Sequence, residues 1–563
     1  MLSADNRFHP SLAHEFKQIP HQMKALSFSD TLPSKPMKHS APNALCACLA
    51  GFAIGTLASA QPAPPAPPSL QGASIASPAD VKRPPFQFAA EDEQFLEEVQ
   101  RAAFRYLWET GDPSNGMPPD RLSEPTVSVA GVGFLLSALP IAVERKWITR
   151  DEAEQRALLV LRALAKDPEI RKAGLFQHYL DGKTGGIHPA KNLEHVVSTI
   201  DSALLFAGML TASSYFKGEI ATLADGMFAE ANWKFFQGGD EAKPYERGFI
   251  SLGWKPKDKT KPAGDGARLP YYWADSGCEH RLTTFLAVCA PNEANRIDPA
   301  IYYKLRRQQG SYTFRGAPSK LPADLEKQTG TVVWFPFSGS LFVNTFSHLW
   351  IDYASIGVDN PAALGVKNRI PTDWWENSRR MTTLHRLKAI ENPKNLPTLG
   401  ADAWGLTASD YPKGYLVAGV YPDTIAMPNS RPDWDYSTFR AKDDFGDGTI
   451  APYGAGCAIL FQPDAAMRAM RSYRSLKLPD GSLLAWRDPA KPVADGGGFG
   501  FVDAFNLKGP DGKPWAAKDY LAIDQGPLLL AIENARTGNV WRWFHQHPYV
   551  LAGSERLGMK PSR

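Results

Sequence analysis

Residues Val196–Leu210 read VVSTIDSALLFAGML. Apart from its single acid, Asp201, this stretch is apolar on most faces of a helical wheel, which marks a helix buried on every side. Upstream the pattern changes: Phe95, Val99, Ala102, Ala103, Tyr106 and Leu107 recur at helical spacing on one face. Further helical stretches are predicted at 127–146, 150–165, 198–215, 219–236, 279–289, 340–355, 373–390, 455–472 and 517–535. Few runs alternate, and Thr331–Phe337 is the clearest strand. Buried and amphipathic helices alternating over ~450 residues fit two concentric layers better than a bundle or a solenoid. The expected fold is all-α, an α/α toroid with long loops and minor short β segments. No fixed-period repeat runs through the chain.

Composition supports a large folded core. Of 563 residues, 43% are hydrophobic and 21% charged. The 46 glycines and 47 prolines exceed the usual combined share of ~12%, so long loops join the helices. Lys+Arg number 62 and Asp+Glu 59, a net charge of +3 that argues against a nucleic-acid partner. The 15 tryptophans suit core packing and sugar stacking alike.

From Met37 the chain reads MKHSAPNALCACLAGFAIGTLASAQ. Lys38 and His39 give a basic start, Leu45–Leu57 an apolar run too short for a membrane span of ~20 residues, and Ala58-Ser59-Ala60 a small-residue cleavage pattern. The expected organisation follows: 1–36 a non-native or disordered extension, 37–60 a signal peptide, 61–90 a Pro-rich linker, 91–557 the helical domain and 558–563 a tail. The protein is expected in the periplasm of a Gram-negative bacterium or outside the cell, as a monomer without a transmembrane segment. Cys278, Cys289 and Cys457 then remain, an odd count that reads as buried thiols. With no C-x-x-C or H-E-x-x-H, neither metal nor cofactor is expected.

The carboxylates carry the functional signal. Ser198-Thr199-Ile200-Asp201 and Ser276-Gly277-Cys278-Glu279 each place an acid three residues after a hydroxyl and just before an apolar run. That spacing is a capping box, so both acids read as helix caps. It is equally the spacing of first-turn acids that line one cleft, if the inner helices of a toroid open on one face. Glu194, seven residues before Asp201, falls on the same side of a helix begun earlier. A helix start favours the ionised carboxylate, so an acid that donates a proton there needs burial or a carboxylate neighbour. One protonated and one ionised carboxyl is the requirement of glycoside hydrolysis.

Further polar residues interleave with aromatics. Phe342–Asp352 (FVNTFSHLWID) sets His348 and Asp352 a turn apart, either as an internal helix pair or as ligand contacts. Arg379 and Arg380 follow Trp374-Trp375, Asp410 sits in the loop-like WGLTASDYPKGY (404–415), and Asp447 opens DGT. Asp503 and Asp524 read as candidates or as N-caps. This density of loop-placed Asp, Arg, His and Trp favours a carbohydrate cleft. A phosphate loop and a G-x-S-x-G elbow are both missing.

Longer strings now become informative: FRYLWE (104–109), STIDSALLFAG (198–208), RGFISLGW (247–254), SHLWID (347–352), NSRR (377–380), DGTIAP (447–452), FGFVDAFN (499–506) and AIDQGPLLLAIEN (522–534). Together with 404–415 they resemble the glycoamylase-like family from about Glu91 to Leu557. That family includes the bacterial endo-β-1,2-glucanases of glycoside hydrolase family 144 and a domain of cyclic β-1,2-glucan synthases. The resemblance implies an (α/α)6 barrel and hydrolysis of β-1,2-glucan without metal or organic cofactor. It implies Glu279 as proton donor, Asp201 as the partner that activates water and Glu194 as a third carboxylate. Trp273, His348, Asp352, Arg379, Arg380, Trp404, Asp410 and Asp447 are the implied substrate-binding residues. Lys255–Tyr271 and Asn429–Phe445 are read as cleft-rim loops that would turn endo action into exo action. A glucan-binding or transglycosylating protein of periplasmic glucan metabolism is the alternative on the same fold.

Overall fold

The computed structural model describes residues 75–561 except 191–194, 239–246, 326–330, 336–338, 368 and 427–442. The expected extension and signal peptide, Glu194 and most of 429–445 lie outside the described residues. Helices dominate: α1 (Ala90–Glu109), α2 (Val129–Glu144), α3 (Arg150–Lys166), α4 (Thr199–Phe216), α5 (Gly218–Glu230), α6 (Cys278–Cys289), α7 (Trp374–Glu391), α8 (Pro452–Cys457), α9 (Pro463–Ser475), α10 (Ala522–Arg536), α11 (Asn539–His545) and α12 (Pro548–Arg556).

Their burial follows the sequence pattern. In α2 every residue from Val129 to Ala142 is buried, and α4 is buried almost throughout. By contrast α3 and α9 bury one stripe only, and α3 begins with a capping box between Thr149 and Glu152. The buried helices contact one another in chain order, α2 with α4 and α4 with α6, while α10 packs on both α8 and α2. The amphipathic helices cover them: α1 lies on α10, α5 on α4, α9 on α8 and α12 on α6. Among the described residues no helix is long and apolar enough to cross a membrane.

The contact between α2 and α4 has nothing but backbone at its centre. A methyl group built on Gly208 would overlap the Gly133 carbonyl, and one on Gly133 would overlap the Leu204 carbonyl. Beside this contact Trp350 stacks on Phe134 at 5.4 Å and donates its Nε1–H to Ser137 Oγ at 3.0 Å.

Strands are short, two to five residues long, and the predicted one is found at Thr331–Phe335, antiparallel to Gln308–Tyr312. The segment expected as a loop at 255–271 is largely a hairpin, Gly253–Pro256 with Gly266–Arg268. It extends the strand Val197–Ser198 that feeds α4. The helix expected over 340–355 is broken into turns at Phe342–Asn344 and Phe346–Leu349 and a short helix at Tyr353–Ile356. Polar side chains there bind local carbonyls, Asn344 to Ser340 O and Thr345 to Leu341 O, which offers the backbone an alternative to a continuous helix. The described part of the expected linker is docked. Ile75 O accepts from Asp373 N at 2.8 Å, Arg83 lies 4.7 Å over the Trp375 ring, and Phe86 N donates to Ala535 O at 2.7 Å. Cys278, Cys289 and Cys457 are buried free thiols, as expected.

Overpacking a tight core contact costs ~1–3 kcal/mol, occasionally more. Gly208→Ala is therefore expected to lower the thermal unfolding midpoint clearly, whereas Ala at the open Gly226 position of α5, where no atom lies within reach of an added methyl, is expected to leave it unchanged or slightly raised. Equal midpoints for the two variants would contradict this packing.

Candidate active site

The entries to the buried helices are stitched together on one face. Strand Thr126–Ser128, which leads into α2, pairs with Tyr179–Asp181. Val129 N donates to His178 O at 3.1 Å, and His178 N donates to Val196 O at 2.9 Å, just ahead of α4. Trp273, ahead of α6, donates its Nε1–H to Thr199 Oγ1 in the first turn of α4 at 2.8 Å. Ala522 N, the first residue of α10, donates to Asp120 O at 2.9 Å. Acids in the first turns of α4, α6 and α10 and in the loop before α2 therefore gather at one end of the molecule.

Asp201 is 5% exposed. Ser198 caps α4: its hydroxyl accepts from Asp201 N at 3.3 Å and donates to Asp201 Oδ2 at 2.5 Å. His178 Nε2 lies 3.5 Å from Asp201 Oδ1. Glu279 is 8% exposed in the first turn of α6. The capping box expected there does not form: Gly277 takes the cap position, and Ser276 Oγ has no partner among the described residues. Its place at the helix start thus owes nothing to a Ser276 cap.

Asp120, absent from the sequence-level candidates, joins this group. Burial pushes its carboxyl up to about 6; Arg121 and His178 pull it down, and the Asp201 charge adds to the rise. Next to it Arg121 forks onto Asp410, with both contacts at 3.2 Å, and reaches Asp519 at 3.2 Å. Asp410 lies on the hairpin Ala408–Tyr411/Gly414–Val417, and its N–H donates to Asp503 Oδ2 at 2.8 Å.

Behind Asp410 lie Asp503 and Asp524, candidates in the sequence whose pairing the sequence does not reveal. Asp503 and Asp524 do not cap helices; their carboxyls hydrogen-bond each other. Asp503 Oδ1 and Asp524 Oδ2 have no other partner among the described residues, so one shared proton satisfies both. Burial raises the Asp503 carboxyl to about 7, and burial with the Asp503 charge raises that of Asp524 well above the carboxylate range. For Asp120 the signal in the sequence is its place beside Arg121 in a Pro-rich loop before an apolar helix, which local reading passes over.

The remaining predicted residues divide. Trp273 and Asp410 reach the helix-entry face, and Trp273 is partly exposed. His348, Asp352 and Trp404 are 1%, 0% and 0% exposed and cannot touch a sugar. His348 Nε2 shares a hydrogen bond with Ser378 Oγ, Asp352 caps the 353–356 helix, and Trp404 is held through its backbone by Tyr473. Arg379 and Arg380 are taken up by Glu376 on their own helix, both at 2.7 Å. Asp447 closes a turn onto Thr449. Glu194 lies outside the described residues. Among the described residues no group of three or more His, Cys, Asp or Glu is arranged to hold a metal ion.

Known proteins share this framework. The Glycoamylase family model matches residues 270–548, which bears out the resemblance to the glycoamylase-like family. An exo β-1,2-glucooligosaccharide sophorohydrolase (non-reducing end) of Parabacteroides distasonis is 28% identical over 481 residues, covering 83% of this chain. The chain spans 58% of that relative's length. The crystal structure of a β-1,2-glucanase from Parabacteroides distasonis aligns with a TM-score of 0.60 and 26% identity, over 84% of this chain and 60% of that one. An endo-β-1,2-glucanase from Chitinophaga pinensis, solved with sophorotriose and glucose, aligns with a TM-score of 0.60 at 22% identity, over 83% and 98% of the two chains. That last likeness concerns the fold alone.

The shared proton has a measurable consequence. In the folded state Asp503 holds its proton up to about pH 7, whereas an unfolded carboxyl loses it near pH ~4. The pair therefore costs stability as pH rises between these values. The buried, neutral His280 and His385, both held down to about 4, bias stability the opposite way, so the readout is a difference between proteins. Asp524→Asn supplies a permanent donor, and relative to wild type it is expected to gain at least ~1 kcal/mol between pH 5 and pH 8 in denaturant unfolding. A constant offset across that range would contradict the shared proton.

Proposed function

We propose that this glycoamylase-like chain is a glycoside hydrolase acting on β-1,2-linked glucan, built as an (α/α)6 toroid with its cleft at the inner-helix entries. The return of α10 onto α2, and the cover of α4, α6, α8 and α10 by amphipathic helices, support the toroid. The observation that carries the function is the placement of the buried Asp201 and Glu279 in the first turns of α4 and α6, whose entries Trp273 and Thr199 join, with Asp120 close enough to feel the Asp201 charge. The β-1,2-glucan activities of the relatives support the substrate class. Export is part of the reading and rests on the basic, apolar and small-residue pattern of Lys38–Ala60.

In this reading Glu279 protonates the glycosidic oxygen and Asp201 activates water. The Ser198 hydroxyl, donating to Oδ2, orients the Asp201 side chain for that role at the α4 start. Asp120 stays protonated into mildly acidic solution and adds a proton to the pair's surroundings. Asp410, oriented by Arg121, offers its carboxylate to sugar hydroxyls.

Reducing-end release from linear β-1,2-glucan, with β-1,3-, β-1,4- and α-linked glucans as controls, tests the reading. Wild type is expected to act on the β-1,2 polymer, and Asp201→Asn and Glu279→Gln each to lose at least ~100-fold in kcat, the scale of general acid–base catalysis. Circular dichroism is expected to stay unchanged. Turnover that survives both substitutions, or none by wild type, would refute the assignment.

A further inference from the structure

We infer that His280 presents a fixed, uncharged hydrogen-bond acceptor, its Nε2, to a sugar hydroxyl beside Glu279, with the Trp273 ring as its stacking neighbour. This rests on the glycoside-hydrolase reading and adds a specificity residue to it.

The other ring nitrogen fixes the tautomer. His280 Nδ1 lies 2.9 Å from Asp275 O, and a carbonyl can only accept, so Nδ1 carries the hydrogen and Nε2 the lone pair. That carbonyl is held rigidly. Arg306 N donates to Ala274 O at 2.7 Å, Ser276 N donates to Arg306 O at 2.9 Å, and the Arg306 guanidinium pairs with the Asp275 carboxylate at 2.9 Å. The charged groups facing the ring are Asp275, Arg306 and Arg281, with Glu279 adjacent in the chain. Burial with Arg306 and Arg281 keeps the imidazole neutral, down to about 4, against the pull of Asp275.

The location fits a binding role. The His280 ring centroid is 4.6 Å from that of Trp273, whose Nε1–H is fixed on Thr199 Oγ1, two residues before Asp201. His280 thus sits between the starts of α4 and α6. Trp273 and His280 are both intermediate in burial, and Nε2 has no partner among the described residues and is not among the sealed, unpartnered polar atoms. An oriented neutral acceptor beside an aromatic face matches a sugar hydroxyl and the apolar face of a pyranose ring.

Three proteins test this: wild type, His280→Leu, and His280→Gln, which keeps an acceptor near the Nε2 position. β-1,2-Gluco-oligosaccharide binding is measured by calorimetry, and KM and kcat on the linear polymer by reducing-end release. His280→Leu is expected to weaken binding and raise KM roughly 3–10-fold, the loss of one hydrogen bond, with kcat within about 3-fold. His280→Gln is expected to stay within about 3-fold of wild type in all three. Unchanged binding in His280→Leu, or equal weakening in both variants, overturns the inference. Oligosaccharide binding that depends on His280 without wild-type turnover would refute the hydrolase reading and leave the inference standing.

Discussion

The backbone contact between Gly133 and Gly208 sets how closely the buried helices α2 and α4 pack. With no side chain between them, the two helices approach until their backbones touch. The loops that feed them are joined through short strands and single backbone bonds. Acids far apart in the chain are brought toward one another by these bonded helix entries. The site depends on that stitching more than on any local motif.

Gathering carboxylates in a partly buried place is electrostatically unfavourable, and the protein meets this in three ways. Asp201 lies against a helix start and accepts the Ser198 hydroxyl. Asp410 and Asp519 share one guanidinium, Arg121. Asp503 and Asp524 keep a proton between them. Each solution fixes the orientation of its groups before substrate arrives, as electrostatic preorganisation requires. The backbone bond from Asp410 to Asp503 ties the second and third solutions together.

Much of this was legible in the sequence. The wheel of Val196–Leu210 identified a buried helix, and the Ser198–Asp201 spacing located both its cap and its acid, because these are local properties of a few adjacent residues. The same spacing misled at Ser276, where Gly277 took the cap position instead. FVNTFSHLWID read as helix because its apolar residues are periodic, but its polar side chains compete for the backbone. His348, Asp352 and Trp404 looked like ligand contacts only because a sequence does not reveal which way a side chain faces. Asp120, and the pairing of the candidates Asp503 and Asp524, escaped notice for a different reason. Their significance comes from partners brought in from other loops, which no window along the chain contains.

The central claim is that Asp201 and Glu279 face one glucan-binding cleft at the helix entries. A crystal structure of the Glu279→Gln protein soaked with a β-1,2-gluco-oligosaccharide tests it directly. The account predicts a glycosidic oxygen within hydrogen-bond distance of residue 279 and a water, or the space for one, between the anomeric carbon and Asp201. Sugar bound elsewhere on the molecule, or the two side chains opening on separate surfaces, would contradict it.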